Sequence, residues 1–138
     1  MKVLVVYWSG TGNTEAMANA VYEGAKESGA DVELCNVSEV TDVSGYDVVL
    51  MGCPAMGAEE LEPDEFEPFF EANGKKLTGK KIGLFGSYDW GDGEWMRTWQ
   101  SRVEELGGIM LMDGIIANNS PDDSVIEECK MLGNSVAK

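Results

Sequence analysis

No histidine occurs in these 138 residues. That removes Ser-His-Asp and Cys-His catalysis and every metal site built on imidazole. Cysteine is sparse: Cys35, Cys53 and Cys129 stand far apart and form no C-x-x-C pair. Neither a zinc knuckle nor a thioredoxin-type motif is available, and the three read as reduced, buried or incidental thiols. Basic residues are few, 10 Lys and Arg against 25 Asp and Glu, for a formal net charge of −15. Such a charge opposes binding to nucleic acid or an anionic membrane and permits steering toward a basic protein partner. No apolar run approaches the ~18 residues of a membrane span. Residues 3–8 are apolar after Lys2, but Ser9 and Gly10 end the run too early for a signal peptide, so a cytoplasmic protein is expected.

What is present is a single alternating pattern without linker, repeat or low-complexity segment. The length fits one domain, residues 1–138, large enough to hold a core without metal or disulfide. Residues 2–7, 31–37, 47–53 and 81–87 read as strands; 2–7 and 47–53 are apolar throughout, as in strands buried on both faces. Residues 108–117 read as a fifth strand, broken at Asp113-Gly114. Helices are expected over 13–28, ended by Gly29, from Pro63 with Phe66, Phe69 and Phe70 on one face, and over 93–106. The last helix is expected over 121–137, with Ser120 as N-cap and Pro121 in the first position. Repeated strand-helix alternation implies parallel strands, right-handed crossovers and a doubly wound five-stranded α/β sheet. Ligands of such sheets bind beyond the carboxyl ends of the strands, which selects residues 8–14, 54–62 and 88–93.

The first of these loops reads Ser9-Gly10-Thr11-Gly12-Asn13-Thr14. Two glycines let backbone N–H groups converge, three hydroxyls and an amide stand beside them, and a helix N-terminus follows: an anion cradle with no Lys or Arg in it. The dinucleotide G-x-G-x-x-G pattern fails at Glu15, and the Walker A ending fails at Asn13-Thr14-Glu15. The other two loops, Cys53-Pro54-Ala55-Met56-Gly57-Ala58-Glu59-Glu60 and Gly86-Ser87-Tyr88-Asp89-Trp90-Gly91-Asp92-Gly93, each carry a large polarisable side chain beside glycine. Met56 and Trp90 either clamp a flat ring between them or cap the core.

Trp8-Ser9-Gly10-Thr11-Gly12-Asn13-Thr14, Gly52-Cys53-Pro54-Ala55-Met56-Gly57, Phe66-Glu67-Pro68-Phe69, Leu84-Phe85-Gly86-Ser87-Tyr88 and Trp90-Gly91-Asp92-Gly93-Glu94-Trp95-Met96 together resemble the short-chain flavodoxins of clostridial-type bacteria. The resemblance spans nearly the whole chain, which lacks the long fifth-strand insertion of larger flavodoxins. It implies a flavodoxin-like sheet of order 2-1-3-4-5 and one FMN, held without a covalent bond. It implies that residues 9–14 hold the FMN phosphate, that Met56 and Trp90 pack on the two ring faces, that the Gly57 backbone faces flavin N5, and that Glu59 accepts from flavin N3. Ser87, Tyr88, Asp89 and Gly91, with Pro54, Ala55 and Ala58, complete the cofactor set. Two positions depart from the family pattern. Ala58 stands where an acidic or polar residue is expected, and Asp89 stands where glycine is expected, which bears on local geometry and redox potential.

The implied function is low-potential, one-electron transfer between redox proteins in place of ferredoxin, by a monomer that is not an enzyme and holds no metal. FMN supplies the electron chemistry. Glu59, Glu60, Glu62, Asp89 and Asp92 would disfavour a reduced anionic flavin, and a Gly57 carbonyl turned toward N5 would favour the neutral semiquinone. Basic-faced reductases and ferredoxin-dependent enzymes are the expected partners. An FMN-dependent quinone reductase of the same fold would need an open ring face, against which Trp90 argues. A response-regulator domain would need a phosphorylatable Asp where Gly52-Cys53-Pro54 stands. A flavodoxin-like partner dedicated to one enzyme is a further alternative.

Overall fold

The apolar run that opens the chain becomes the middle of the sheet. In the computed structural model, which describes residues 1–137, β1 (Lys2–Tyr7) lies between β2 (Asp31–Asn36) and β3 (Val48–Gly52), all parallel. β4 (Lys81–Tyr88) continues beyond β3, giving the expected order 2-1-3-4-5. Val3, Leu4, Val5 and Val6 are wholly buried because successive side chains of a strand enter opposite faces and both faces are covered. The fifth position is filled in two pieces, β5 (Ile109–Met110) on the start of β4 and β6 (Ile115–Asn118) on its end. The break falls where the sequence places it. Gln100 holds it off the ladder, accepting the Gly114 N–H (3.0 Å) and donating to the Asp113 carboxylate (3.1 Å).

Helix α1 (Asn13–Glu27) and helix α4 (Asp123–Asn134) cover one face; α2 (Phe66–Asn73) and α3 (Glu94–Glu105) cover the other. On the first face Val3, Val5 and Leu50 meet Met17, Val21, Cys129 and Leu132. There α1 and α4 cross through glycine. A Cβ on Gly24 would stand 2.1 Å from the Lys130 carbonyl oxygen, and one on Gly133 would stand 2.1 Å from that of Val21. On the second face Leu4, Val6, Val49 and Met51 meet Phe66, Phe70, Trp95 and Trp99. Trp99 packs edge-on against Phe66 (5.4 Å, 86°) and Phe70 (6.3 Å, 85°), arrangements worth about 0.5–1.5 kcal/mol each beyond burial.

Two helix starts differ from expectation. The sequence predicts α2 from Pro63; the structure begins it at Phe66. The buried Glu62 carboxylate accepts the N–H groups of Asp64, Glu65 and Phe66 at 2.9, 2.7 and 2.9 Å, so residues 63–65 form a turn around it. The sequence assigns the N-cap of α4 to Ser120 and its first position to Pro121; the structure caps it with Asp122, extended at φ −83°, whose carboxylate accepts the Val125 N–H at 2.9 Å. All three cysteines are free thiols. Burial pushes the Cys129 thiol up to about 12 and raises those of Cys53 and Cys35 as well, which disfavours the reactive thiolate. Among the described residues no helix is long and apolar enough to cross a membrane, and no group of three or more His, Cys, Asp and Glu could hold a metal ion.

Candidate functional site

The carboxyl ends of β1, β3 and β4 open into a cavity of about 300 Å³. Its walls come from all three expected loops: Gly10, Thr11 and Asn13 from the first, Pro54, Ala55 and Met56 from the second, Ser87, Tyr88 and Asp89 from the third. Larger hollows of about 410 and 520 Å³ lie along the β6 edge, away from that crevice.

The first loop is folded as a cradle. Ser9 Oγ accepts the N–H groups of Gly12 (3.1 Å) and Glu15 (3.3 Å), which turns its hydroxyl onto the loop's own backbone. Gly12 caps α1 at φ 96° and has no side chain to offer the helix. Among the described residues, the N–H groups of Thr11, Asn13 and Thr14 consequently meet no acceptor. Unspent donors at a helix's positive end suit an anion, and an anion held there would be bound by dipoles and hydroxyls, with no cationic side chain in the cavity wall. Gly10 is crowded from below, since a Cβ there would stand 3.0 Å from the Trp8 ring. Thr14 points inward. Its hydroxyl pairs with that of Ser87 (3.1 Å) in the protein interior, tying the cradle to the end of β4.

The second loop closes on itself. Met56 and Glu60 exchange backbone hydrogen bonds of 2.8 and 2.9 Å, leaving Gly57, Ala58 and Glu59 as the tip. Gly57 has φ 51° and Glu59 φ 54°, a left-handed conformation that costs glycine little and other residues more. The third loop carries Gly91 and Gly93 at φ 89° and 91°. Asp89 does not need positive φ, so its replacement of glycine carries no left-handed strain. Trp90 is 59% exposed and stands outside the cavity wall. Of the other expected residues, Ser9, Gly12, Thr14, Gly57, Ala58, Glu59 and Gly91 do not line this cavity, and Glu59 lines a neighbouring hollow with Trp95 and Arg102.

Two wall residues were missing from the expected set. Trp8 lines the cavity, its indole N–H donating to Glu65 (3.2 Å). Asn119 closes a fourth side from the loop after β6, at φ 60°, with its N–H on the Tyr88 carbonyl at 2.7 Å. The neighbouring Ser120 donates to Asn13 (3.4 Å), which joins this loop to the cradle. The run Asn118-Asn119-Ser120-Pro121 is turn chemistry at a strand's carboxyl end and was the available signal.

The flavodoxin family model matches residues 5–133. A flavodoxin of Megasphaera elsdenii is 53% identical over 138 residues, covering 99% of this chain and 98% of that protein. One of Clostridium beijerinckii is 46% identical over 135 residues, covering 96% and 97%. The solution structure of the two-electron reduced M. elsdenii flavodoxin superposes with a TM-score of 0.89 at 51% identity, covering 98% of each chain.

Proposed function

Because the chain belongs to the flavodoxin family, and so is an FMN-binding electron-transfer protein rather than an enzyme, we propose that its FMN lies in the cavity at the strand ends, phosphate on the 9–14 cradle. FMN supplies reversible electron uptake; the protein supplies binding, orientation and electrostatics. The observation that carries this placement is the row of N–H groups at Thr11, Asn13 and Thr14 with no acceptor among the described residues, at the uncapped end of α1.

Ser9, Gly10, Thr11, Gly12, Asn13 and Thr14 hold and shape the phosphate end. Pro54, Ala55, Ser87, Tyr88 and Asp89 line the crevice between phosphate and ring. Met56 takes one ring face from the wall, and Trp90, exposed at the rim, turns onto the other. The tip of the second loop presents the Gly57 backbone, Ala58 and Glu59 to the ring edge, with Gly91 opposite. Asp89 in the wall and Glu59, Glu60 and Asp92 around it oppose negative charge at the ring, which gives a low potential. The net charge of −15 directs the protein to basic-faced reductases and to enzymes that also accept electrons from ferredoxin. The working unit is one domain, residues 1–138, acting as a monomer in the cytoplasm.

Titration with FMN, riboflavin and FAD tests the placement. FMN binds far more tightly than riboflavin, and FAD binds poorly, if the cradle takes a terminal phosphate. Equal affinity for riboflavin and FMN, or a preference for FAD, overturns it.

A further inference from the structure

The loops that carry Met56 and Trp90 leave the sheet on adjacent strands. The ladder joins them as far as Ala55, whose N–H reaches the Ser87 carbonyl at 3.0 Å. Beyond that point, among the described residues, one hydrogen bond links the turn at 56–60 to the loop at 88–94: Glu59 Oε1 accepts the Glu94 N–H at 3.0 Å. Glu94 opens α3, and Gly93 before it has no side chain with which to cap the helix. The N–H would otherwise be one of the orphan donors of a helix start. Glu59 makes this contact from a left-handed backbone, φ 54°. Gly91 lies flat against the same carboxylate; a Cβ there would stand 2.6 Å from Glu59 Cδ and 2.7 and 2.9 Å from its oxygens.

We propose that Glu59 is a positioning residue whose carboxylate clasps the Trp90 loop and thereby sets its spacing from the turn that carries Met56. The clasp rests on the placement of FMN given above only for its consequence, not for its geometry. Glu59 Oε2 has no hydrogen-bond partner among the described residues, so the clasp uses one of the two carboxylate oxygens. Its bond to the positive end of α3 is charge-assisted. Gly91 is required twice, by its φ of 89° and by the carboxylate packed against it.

Amide exchange at Glu94, read by NMR in FMN-saturated protein, tests the clasp. The visible circular dichroism of the bound flavin supplies a second reading. Losing an acceptor at a helix start is expected to speed exchange roughly 2- to 30-fold in Glu59→Ala. Glu59→Gln keeps an oxygen for the same N–H and restores most of the protection. Gly91→Ala speeds exchange in its turn, and Glu59→Ala and Gly91→Ala shift the dichroism alike. The double variant changes Glu94 exchange by less than the product of the two single effects, since both break one contact. Wild-type exchange at Glu94 in Glu59→Ala, or two effects that simply multiply, overturns the proposal. The FMN-against-riboflavin titration fails or holds independently: a Glu94 response without phosphate discrimination leaves the clasp and removes the cofactor placement, and the converse removes the clasp alone.

Discussion

Over one face of the sheet Phe66, Phe70 and Trp99 meet edge to face; over the other Gly24 and Gly133 let α1 and α4 touch backbone to backbone. The aromatic layer gains stability from large area buried per side chain. The glycine layer gains it from close approach and has no room for a methyl group. The difference extends to the site. α1, seated by backbone contact, carries the cradle for an anion held by backbone N–H groups. α3, seated by aromatic rings, follows the loop that carries Trp90.

The largest effect is expected in the aromatic layer. Trp99→Ala should cost about 3–5 kcal/mol in urea unfolding, the range for deleting a buried large aromatic. Trp99→Phe should cost far less, because the indole N–H is buried without a hydrogen-bond partner in the described residues and its removal strands nothing. Equal losses in the two variants would mean that the shape of the whole indole, and not aromatic area in general, stabilises this layer. Gly133→Ala comes next, at about 1–3 kcal/mol, since the added carbon meets the Val21 carbonyl and must part the helices. The same variant should reduce the preference for FMN over riboflavin, while Gly45→Ala, with nothing within 4 Å of its Cβ, should leave both stability and preference alone. A Gly133→Ala protein as stable as wild type would erase the contrast between the layers.

The comparison sharpens at the rim. Trp90, 59% exposed, carries little of the fold. Trp90→Ala should weaken FMN roughly 2- to 13-fold, as loss of one aromatic stack does, with unfolding unchanged. A large drop in stability would move Trp90 into the aromatic layer. The smallest effect belongs to the ion pair at that layer's margin, Arg102 on Glu67 at 2.7 Å. Hydrogen bonding to Arg102, partly opposed by burial, holds the Glu67 carboxyl below the ordinary carboxylate range. Its folded pKa is depressed, so its stabilisation is present above the unfolded value of about 4.3 and is lost as pH falls through the folded value. Glu67→Gln should therefore cost under ~1 kcal/mol at pH 7, the pair being partly solvated, and nothing once the pH has fallen below the folded value. A gap that widens in acid would reverse the sign of the argument.

Much of this was legible from local pattern. The run 2–7 gave β1 with both ends correct, and Gly29, at φ 89°, ended α1 at Glu27 as helix-stop chemistry predicts. The three site loops followed from strand order alone. What escaped reading depends on partners distant in sequence or on competition between neighbours. Thr14 turns away from the cradle because Ser87, 73 residues on, offers its hydroxyl a partner. Pro63 yields the start of α2 to a buried Glu62 that takes three N–H groups at once. Asn119 reaches the cavity only because β6 pairs with the end of β4. Glu59 in a left-handed turn has no signature in a side chain that ordinarily avoids it.

The two-piece fifth strand makes the chain open to being lengthened. β5 and β6 each hold β4 through their own ladder, and Gln100 anchors Asp113 and Gly114 on the far side of the break. Between Met112 and Asp113 the polypeptide has already left the sheet and already returns to it, so both registers are set outside the gap. A segment spliced in at that point would lengthen only a loop, and each doubling of a flexible loop costs just ~0.6 kcal/mol. Tags, epitopes or a second domain could be carried there, at the end of the sheet farthest from β2, without passing through the cofactor crevice.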